Sequence, residues 1–538
     1  MEPAKPKGLP SGLLKIAAIC ALISLAFKAV LLALEAFPFY SDEAIVGLMA
    51  RHILSGRWPT FFYGQAYLGS TDAALVAGAF AIGGESVLVI RIVQALLYAG
   101  TVATTVALAL RAGLGTWGTW GAGLLAAIPV VNTTLYTTVS IGGYGEALLL
   151  GNLLLLATIA LDDERASTLG FAAWGALAGF AFWTFGLTLV YSLPSSAFLL
   201  ARWARREPRG VFLRAGAVIA GGILGAAPLV VWGLGNGFDV LIRELTGSAI
   251  AGASSADFGA AVISHGLNLL LFGPTVLFGA RPPWEATLLA IPLLPFAIAF
   301  WILAIVRALH PHRSTVKAPR VGRLLAGVAF VLIIGFLFTP FGADPSGRYF
   351  LPLSMALTIV GGALIDEIQS RTRPAWAVAA LAIVLAFSAW GNLQTALRRP
   401  PGITTQFDAA ARRDTASDSR LMAFLGDIGE TRGYTTYWIS YPLAFLSRET
   451  LVFVPRLPYH SDFRYTSRDD RYPGYGPLVL ASPRVAYITS AQPWLEAYLR
   501  EAFASEGVTF RESEVGGYHV FHDLSRAVAP ETLGIVER

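Results

Sequence analysis

Residues 13–43 read LLKIAAICALISLAFKAVLLALEAFPFYSDE. Positions 13–37 are an apolar run interrupted only by Lys15, Ser24, Lys28 and Glu35. A bilayer crossing needs roughly 20 apolar residues, so this stretch predicts a membrane helix. It is too long for a removable signal peptide and lacks the small-residue cleavage site. Its end is abrupt: Pro38 stops the helix and Ser41, Asp42 and Glu43 follow at once. The chain thus delivers two carboxylates to the membrane surface.

Moving outward from that stretch, the same apolar pattern recurs at about 86–110, 114–131, 146–161, 168–183, 184–203, 213–235, 286–309, 324–341, 350–365 and 375–394. That gives eleven expected crossings. The composition agrees: 538 residues with 55% hydrophobic and only 14% charged side chains and a mean hydropathy of +0.59 exclude a soluble enzyme and a singly anchored one. The run 258–280 is apolar too, but Ser264, His265, Asn268, Gly273 and Pro274 interrupt it, which predicts a re-entrant or interfacial segment. One cysteine, Cys20, excludes a disulfide framework and a Cys-rich metal site. The basic residues lie in short loops, not on one contiguous face, so nucleic acid is not an expected partner; membrane lipids are.

Lys and Arg accumulate on the cytoplasmic side. One set of loops carries Lys5, Lys7, Lys15, Arg111, Arg165, Arg202, Arg205, Arg206, Arg209, Arg307, Arg313, Lys317, Arg320, Arg323, Arg371 and Arg373, the other only Arg51, Arg57, Arg243, Arg281 and Arg348. The N-terminus is therefore expected in the cytoplasm of a plasma or inner membrane, and an odd number of crossings puts the C-terminus outside. Two long loops, 38–85 and 236–285, fall on the outer side. After residue 394 about 140 residues of charged, turn-rich sequence follow. Helical patterns at 419–428 and 493–505 alternate there with β-rich runs at 435–440, 451–455, 485–489 and 517–522, which predicts an extracytoplasmic α/β domain over 395–538 behind a membrane domain over 1–394. Gly474-Tyr475-Gly476 lacks the strand–turn–helix setting of a nucleotide site, so no nucleotide or redox cofactor is expected. Tyr434, Tyr437, Trp438 and Tyr441 offer faces for sugar stacking or fill a strand's core.

The first outer loop carries the chemistry. After Ser41-Asp42-Glu43 comes an amphipathic stretch with Ile45, Met49 and Ile53 on one face, expected to lie in the membrane interface. Ser41 as helix cap and two acids complementing the dipole account for it structurally; a surface carboxylate acting as general base or metal ligand accounts for it chemically. YGQAYLGSTD at 63–72 follows, rich in glycine, tyrosine and hydrogen-bonding side chains and ending in Asp72. His52 and His265 fit either a structural or a ligand role.

This arrangement resembles the first outer loop of GT-C fold membrane glycosyltransferases of the glycosyltransferase 39 type, the bacterial relatives of protein O-mannosyltransferases and of lipid A aminoarabinose transferases. The likeness extends to Gly142-Gly143-Tyr144-Gly145-Glu146 and to Asp344-Pro345-Ser346-Gly347-Arg348-Tyr349-Phe350-Leu351-Pro352, which is similar to the family's Arg-Tyr-x-x-Pro run beside the lipid phosphate. It implies a polyprenyl-phosphate-linked sugar as donor, a hydroxyl acceptor, transfer on the outer face, and Asp42 as base with Glu43 beside it. Gln65, Tyr67, Asp72, Glu146, Arg348 and Tyr349 become the expected substrate-binding residues. The aminoarabinose transferases have a metal-holding acid where this chain has Gly69; Asp72, Glu146 and His265 are the candidates to hold a divalent metal instead. The bottom-up chemistry runs the same way, since displacing a lipid phosphate needs a base for the acceptor hydroxyl and cations for the departing phosphate. Arg51, Arg57 and Arg281 are further outer-side cations suited to phosphate. The competing class, a transporter or flippase of a lipid-linked substrate, requires ionisable residues deep in the spanning helices. Lys28 and Arg91 are the candidates for that, both expected to snorkel to a membrane end.

Overall fold

The computed structural model describes residues 11–163, 167–246, 257–283, 285–310, 315–405, 411–459, 464–490 and 492–537. Lys5, Lys7, Arg165 and Arg313 of the orientation argument lie outside them. The chain is a polytopic helical membrane protein. Seven helices are long and apolar enough to cross a bilayer, or eight if the bent pair Pro208–Gly225 and Ala227–Asn236 counts as one span. Each of the eleven expected runs contains helix, but in the run 286–309 it begins only at Leu294, Thr168–Thr184 and Leu294–Leu309 are short apolar helices, and Thr116–Ala127 has only 12 residues. Where helices cross closely, small residues permit it: a Cβ on Gly118 would meet the Gly362 carbonyl oxygen at 2.8 Å, which is how Thr116–Ala127 packs on Leu351–Arg371.

Phe258–Leu277 is helical over its 20 residues, in three pieces that meet at the polar and Gly-Pro positions. A π-helical stretch at Asn268–Phe272 absorbs the irregularity, and Pro274 sits at the start of the last turns, where its missing N–H costs least. Phe258 stacks on Phe338, His265 Nδ1 meets the Leu337 carbonyl at 2.9 Å, and Asn268 donates to the Gly342 carbonyl at 2.8 Å. These contacts cluster at one end of the Pro319–Phe338 helix, so the segment lies across that end.

The two cations Lys28 and Arg91, expected to reach toward a membrane end, are both buried. Lys28 is 1% exposed and donates to the Thr137 carbonyl at 2.7 Å and to the Thr137 and Thr138 hydroxyls at 2.8 and 2.7 Å. Arg91 is bound through two nitrogens to Glu43, at 2.8 and 2.9 Å. Both are held by partners inside the protein.

The helix Ser41–Leu54 is buried on nearly every side, where the sequence suggests an interfacial helix with one wet face. It is sandwiched between the Thr71–Gly83 helix and a helix of the C-terminal region, Tyr437–Leu446. A Cβ on Gly47 would meet Phe445 at 2.5 Å, so the small residue sets this approach. Ser41 is not the cap, a position held by Tyr40; its hydroxyl donates to the Tyr437 carbonyl at 2.5 Å and fastens the two helices together.

The C-terminal region folds around a five-stranded sheet in the order Val452–Val454, Arg432–Thr435, Ala486–Ser490, Tyr518–His522, Arg511–Val515. The first three strands are parallel, with Gly433 opposite Ala486, and the last two add antiparallel. Leu421, Leu425, Leu443, Phe453, Ile488 and Val520 form a core on one face. The strand expected over 435–440 ends at Thr435, and Tyr437–Leu446 is helical despite Pro442. Its aromatic residues favour a strand by propensity, but they are spent on contacts between the sheet and the first loop, where tertiary packing overrides propensity.

Candidate active site

The site is built where three pieces of chain meet. The first is the start of the Ser41–Leu54 helix, which carries Asp42 in its first turn. The second is the hairpin Phe61–Phe62 and Gln65–Gly69. Its turn needs glycine twice over: Gly64 has φ +70°, and a Cβ there would meet Cδ of Arg471 at 2.9 Å. The third is the turn before Leu351–Arg371. There the Asp344 carboxylate accepts from Ser346 N at 2.7 Å, Gly347 takes φ +83°, and Arg348 comes out ion-paired to Asp344 with its guanidinium 5.0 Å from the Tyr349 ring centre. Asn132 braces the turn by donating to the Gly347 carbonyl at 3.2 Å.

Together with Tyr144, and with Arg471 from the C-terminal region, they enclose a polar chamber of about 120 Å³ lined also by Asp42, Gln65, Tyr67, Arg348 and Tyr349. Two further cavities adjoin it through shared walls. An apolar groove of about 400 Å³, between helices around Phe182–Leu193 and Val331–Phe341, shares Tyr67, Phe185 and Tyr349 with the chamber. On the other side an outer pocket of about 220 Å³ shares Asp42, Gln65, Tyr67 and Arg471, and adds Tyr437, Trp438, Tyr459, Thr466, Arg468 and Asp469 from the C-terminal region. An apolar channel, a cationic chamber and an aromatic pocket thus lie in series, with Tyr67 touching all three.

Asp42 stands at the junction. The Tyr437 hydroxyl donates to its Oδ1 at 2.5 Å, which leaves the other carboxylate oxygen for a ligand. Burial and the Asp42 charge hold the Tyr437 phenol well above its usual range, so it stays a donor. Burial also pushes Asp469 up to about 7, with Arg471 pulling it down and Asp42 pushing it further up. The Gln65 amide, turned with its oxygen toward Arg471, accepts from Nη2 at 2.9 Å.

Several expected site residues are elsewhere. Glu43, next to Asp42, points roughly 100° away around the helix and is fully buried against Arg91; it faces a neighbouring helix and is not positioned to act on a substrate. Asp72 and Glu146 lie beneath the chamber, not in its lining. Asp72 accepts from the Ser140 hydroxyl and from Gln94 at 2.9 Å, and Gln94 also reaches Glu146 at 3.3 Å. Arg51 pairs with Glu85 at 2.8 Å, Arg57 donates to the Tyr472 hydroxyl at 3.0 Å, and Arg281 braces carbonyls including that of Pro345 at 3.2 Å. His52 sits between the Tyr63 hydroxyl at 2.6 Å and Glu449 at 3.1 Å. Burial opposes ionisation of Glu449, but bonds from His52 and Tyr475 prevail and lower it to about 2.

The proposed metal ligands do not converge. His265 is held at the Leu337 carbonyl, away from the Asp72–Gln94–Glu146 group, and among the described residues no three His, Cys, Asp or Glu side chains gather. An acid in place of Gly69 has no room, because its Cβ would lie 2.6 Å from the Trp183 carbonyl oxygen. The residues present therefore do not fit a divalent metal at these positions.

Asp469 and Arg471 escape sequence reasoning, and Tyr437 enters it as a stacking or core aromatic, not as the partner of Asp42. The only signal was the charged run Arg468-Asp469-Asp470-Arg471, and its partner Asp42 lies some four hundred residues earlier in the chain.

No family model and no curated protein matches the chain. Solved structures do. ArnT from Cupriavidus metallidurans, bound to undecaprenyl phosphate, superposes with a TM-score of 0.57 at 14% identity, over 95% of this chain and 98% of that one. The oligosaccharyltransferase of Archaeoglobus fulgidus, in complex with Zn and sulfate, superposes with a TM-score of 0.50 at 14% identity, over 95% and 73%. The chain has the GT-C membrane fold.

Proposed function

We propose that the protein is a glycosyltransferase that moves a sugar from a polyprenyl-phosphate donor to a hydroxyl acceptor on the outer face of the membrane. The observation that carries this is the series of three cavities: an apolar groove opening at Tyr67 and Tyr349 into a chamber with Arg348, and from there past Asp42 into an aromatic pocket. A polyprenyl chain suits the groove, its phosphate suits Arg348, and an acceptor reaches Asp42 from the outer pocket. The neighbour bound to undecaprenyl phosphate supports the same donor class. We read 1–394 as the membrane domain and 395–538 as an outer domain that walls the acceptor side. With eleven crossings the N-terminus is cytoplasmic and that domain extracytoplasmic.

In the reaction the Asp42 carboxylate takes the proton of the acceptor hydroxyl as its oxygen attacks the anomeric carbon. The bond from that carbon to the phosphate oxygen breaks, its electron pair stays on the phosphate, and Arg348 offsets the growing charge. The Tyr437 hydroxyl fixes the rotamer of Asp42. Tyr67 and Tyr349 separate the apolar and polar compartments.

The test is to incubate purified protein in nanodiscs with a panel of polyprenyl-phosphate-linked sugars and alcohol acceptors, and to follow acceptor-dependent release of polyprenyl phosphate. Release that Asp42→Asn lowers by about 10² to 10⁴ is the expected result. No release from any donor of this class would sink the reading.

A further inference from the structure

We propose that Arg471, supplied by the C-terminal region, is a second cation for the donor's phosphate, so that this region completes the donor site as well as walling the acceptor pocket. This rests on the donor class proposed above.

Position is the first argument. Arg471 lines both the chamber and the outer pocket, so its guanidinium borders the place where a glycosyl–phosphate bond would have to sit between Arg348 and Asp42. Charge is the second. Arg348 is already ion-paired with the buried carboxylate of Asp344. Arg471 has only a neutral acceptor, the Gln65 amide oxygen, and its enclosed Nε has no hydrogen-bond partner. Asp42 and Asp469 act on it through space, but neither ties up its fork. Both Nη nitrogens reach that one neutral oxygen, so each keeps a second hydrogen for a phosphate, and a phosphate that displaces the amide gains the planar fork through two oxygens.

The third argument is preorganisation. The Arg471 backbone N–H donates to the Tyr441 hydroxyl, and that hydroxyl donates to the Asp469 carbonyl at 2.9 Å. The side chain lies 5.5 Å from the Tyr437 ring centre and directly against Gly64. The residue is thus clamped on both sides, by the helix Tyr437–Leu446 and by the hairpin turn. The chemistry then says when the cation matters most. The donor phosphate is a diester with one negative charge; when the carbon–oxygen bond breaks, the electron pair leaves a monoester that carries nearly two. A fixed, uncompensated cation gains more from the second charge than from the first, so Arg471 acts mainly on turnover and product affinity.

Two measurements on the full-length protein decide it. The first is binding of undecaprenyl phosphate in nanodiscs, which does not depend on turnover. Arg471→Ala should weaken it about tenfold or more, and Arg471→Lys should recover part of the loss. Gly64→Ala keeps the charge but pushes on Cδ, and should weaken binding in the same direction. The second is transfer kinetics, where Arg471→Ala should lower kcat by roughly 10²–10³ with a smaller change in donor KM. Folding is checked by the thermal transition, and if Arg471→Ala does not fold, Arg471→Lys and Gly64→Ala carry the test. Parental affinity for undecaprenyl phosphate in the folded variants overturns the role of Arg471 whether or not transfer is seen. Absence of transfer by the parental protein, with its binding still sensitive to Arg471, would instead count against the proposed reaction alone.

Discussion

Asp42 and Glu43 are neighbours in one helical turn, yet they belong to different regions of the molecule. Asp42 faces a cavity shared with Arg348 and Arg471, and its partner is a tyrosine from the far end of the chain. Glu43 is sealed between helices against Arg91. The Asp72–Gln94–Glu146 group is likewise buried among protein partners and absent from the chamber lining, even though Glu146 Oε2 has no hydrogen-bond partner. The lesson is that an acid beside a membrane surface declares little by its type. What sets Asp42 apart from the structural acids here is a half-filled set of partners next to a cavity, which is what the proposed base requires.

The sharpest way to break that comparison is to neutralise the two neighbours separately. A positioned base contributes typically 10² to 10⁴ in rate, so Asp42→Asn should lower transfer by about that factor while the melting temperature in detergent stays parental. Equal stability loss from Asp42→Asn and Glu43→Ala would erase the distinction. Glu43→Ala leaves Arg91 as an unpaired buried charge, which costs roughly 3–5 kcal/mol. The expected outcome is a lowered melting temperature and yield, with kcat per folded molecule close to parental.

Arg348 comes next. If it holds the donor phosphate, Arg348→Ala should cost roughly 1.5–3 kcal/mol of donor interaction, read as a raised KM for the lipid donor. Arg348→Lys should rescue only partly, because a point charge does not reproduce the fork. Unchanged donor dependence would remove it from the chamber.

Much of this was legible in the sequence because it is local. Apolar runs of membrane length, the Asp-Pro-Ser-Gly-Arg-Tyr turn and the Tyr-Gly-Gln turn each carry their signal within a dozen residues, and the resemblance to GT-C fold proteins rests on them. The rest depends on long-range packing. Whether Arg91 snorkels or meets Glu43, and whether 437–446 is a strand or a helix, is decided by surfaces that come together only in the folded chain. Gly64 shows the limit well: the sequence reveals a turn glycine, but not that Arg471 lies against it.

The smallest effect concerns Asp469, which lies in the outer pocket beside Asp42 and Arg471. Burial pushes its carboxyl up to about 7, against the pull of Arg471. Below that pH it is neutral, and the cation of Arg471 is opposed only by Asp42; above it a second negative charge faces the donor phosphate. Donor KM should therefore rise as pH passes through about 7. One unit charge at about 4 Å contributes about 1 kcal/mol, or roughly fivefold, under the full screening of bulk water, so that is the smallest effect expected. Asp469→Asn mimics the protonated form in shape and charge, so it should hold KM at its low-pH value and flatten the profile between pH 6 and 8. A variant whose KM still climbs over that range would assign the titration to another group and leave Asp469 as a wall of the pocket.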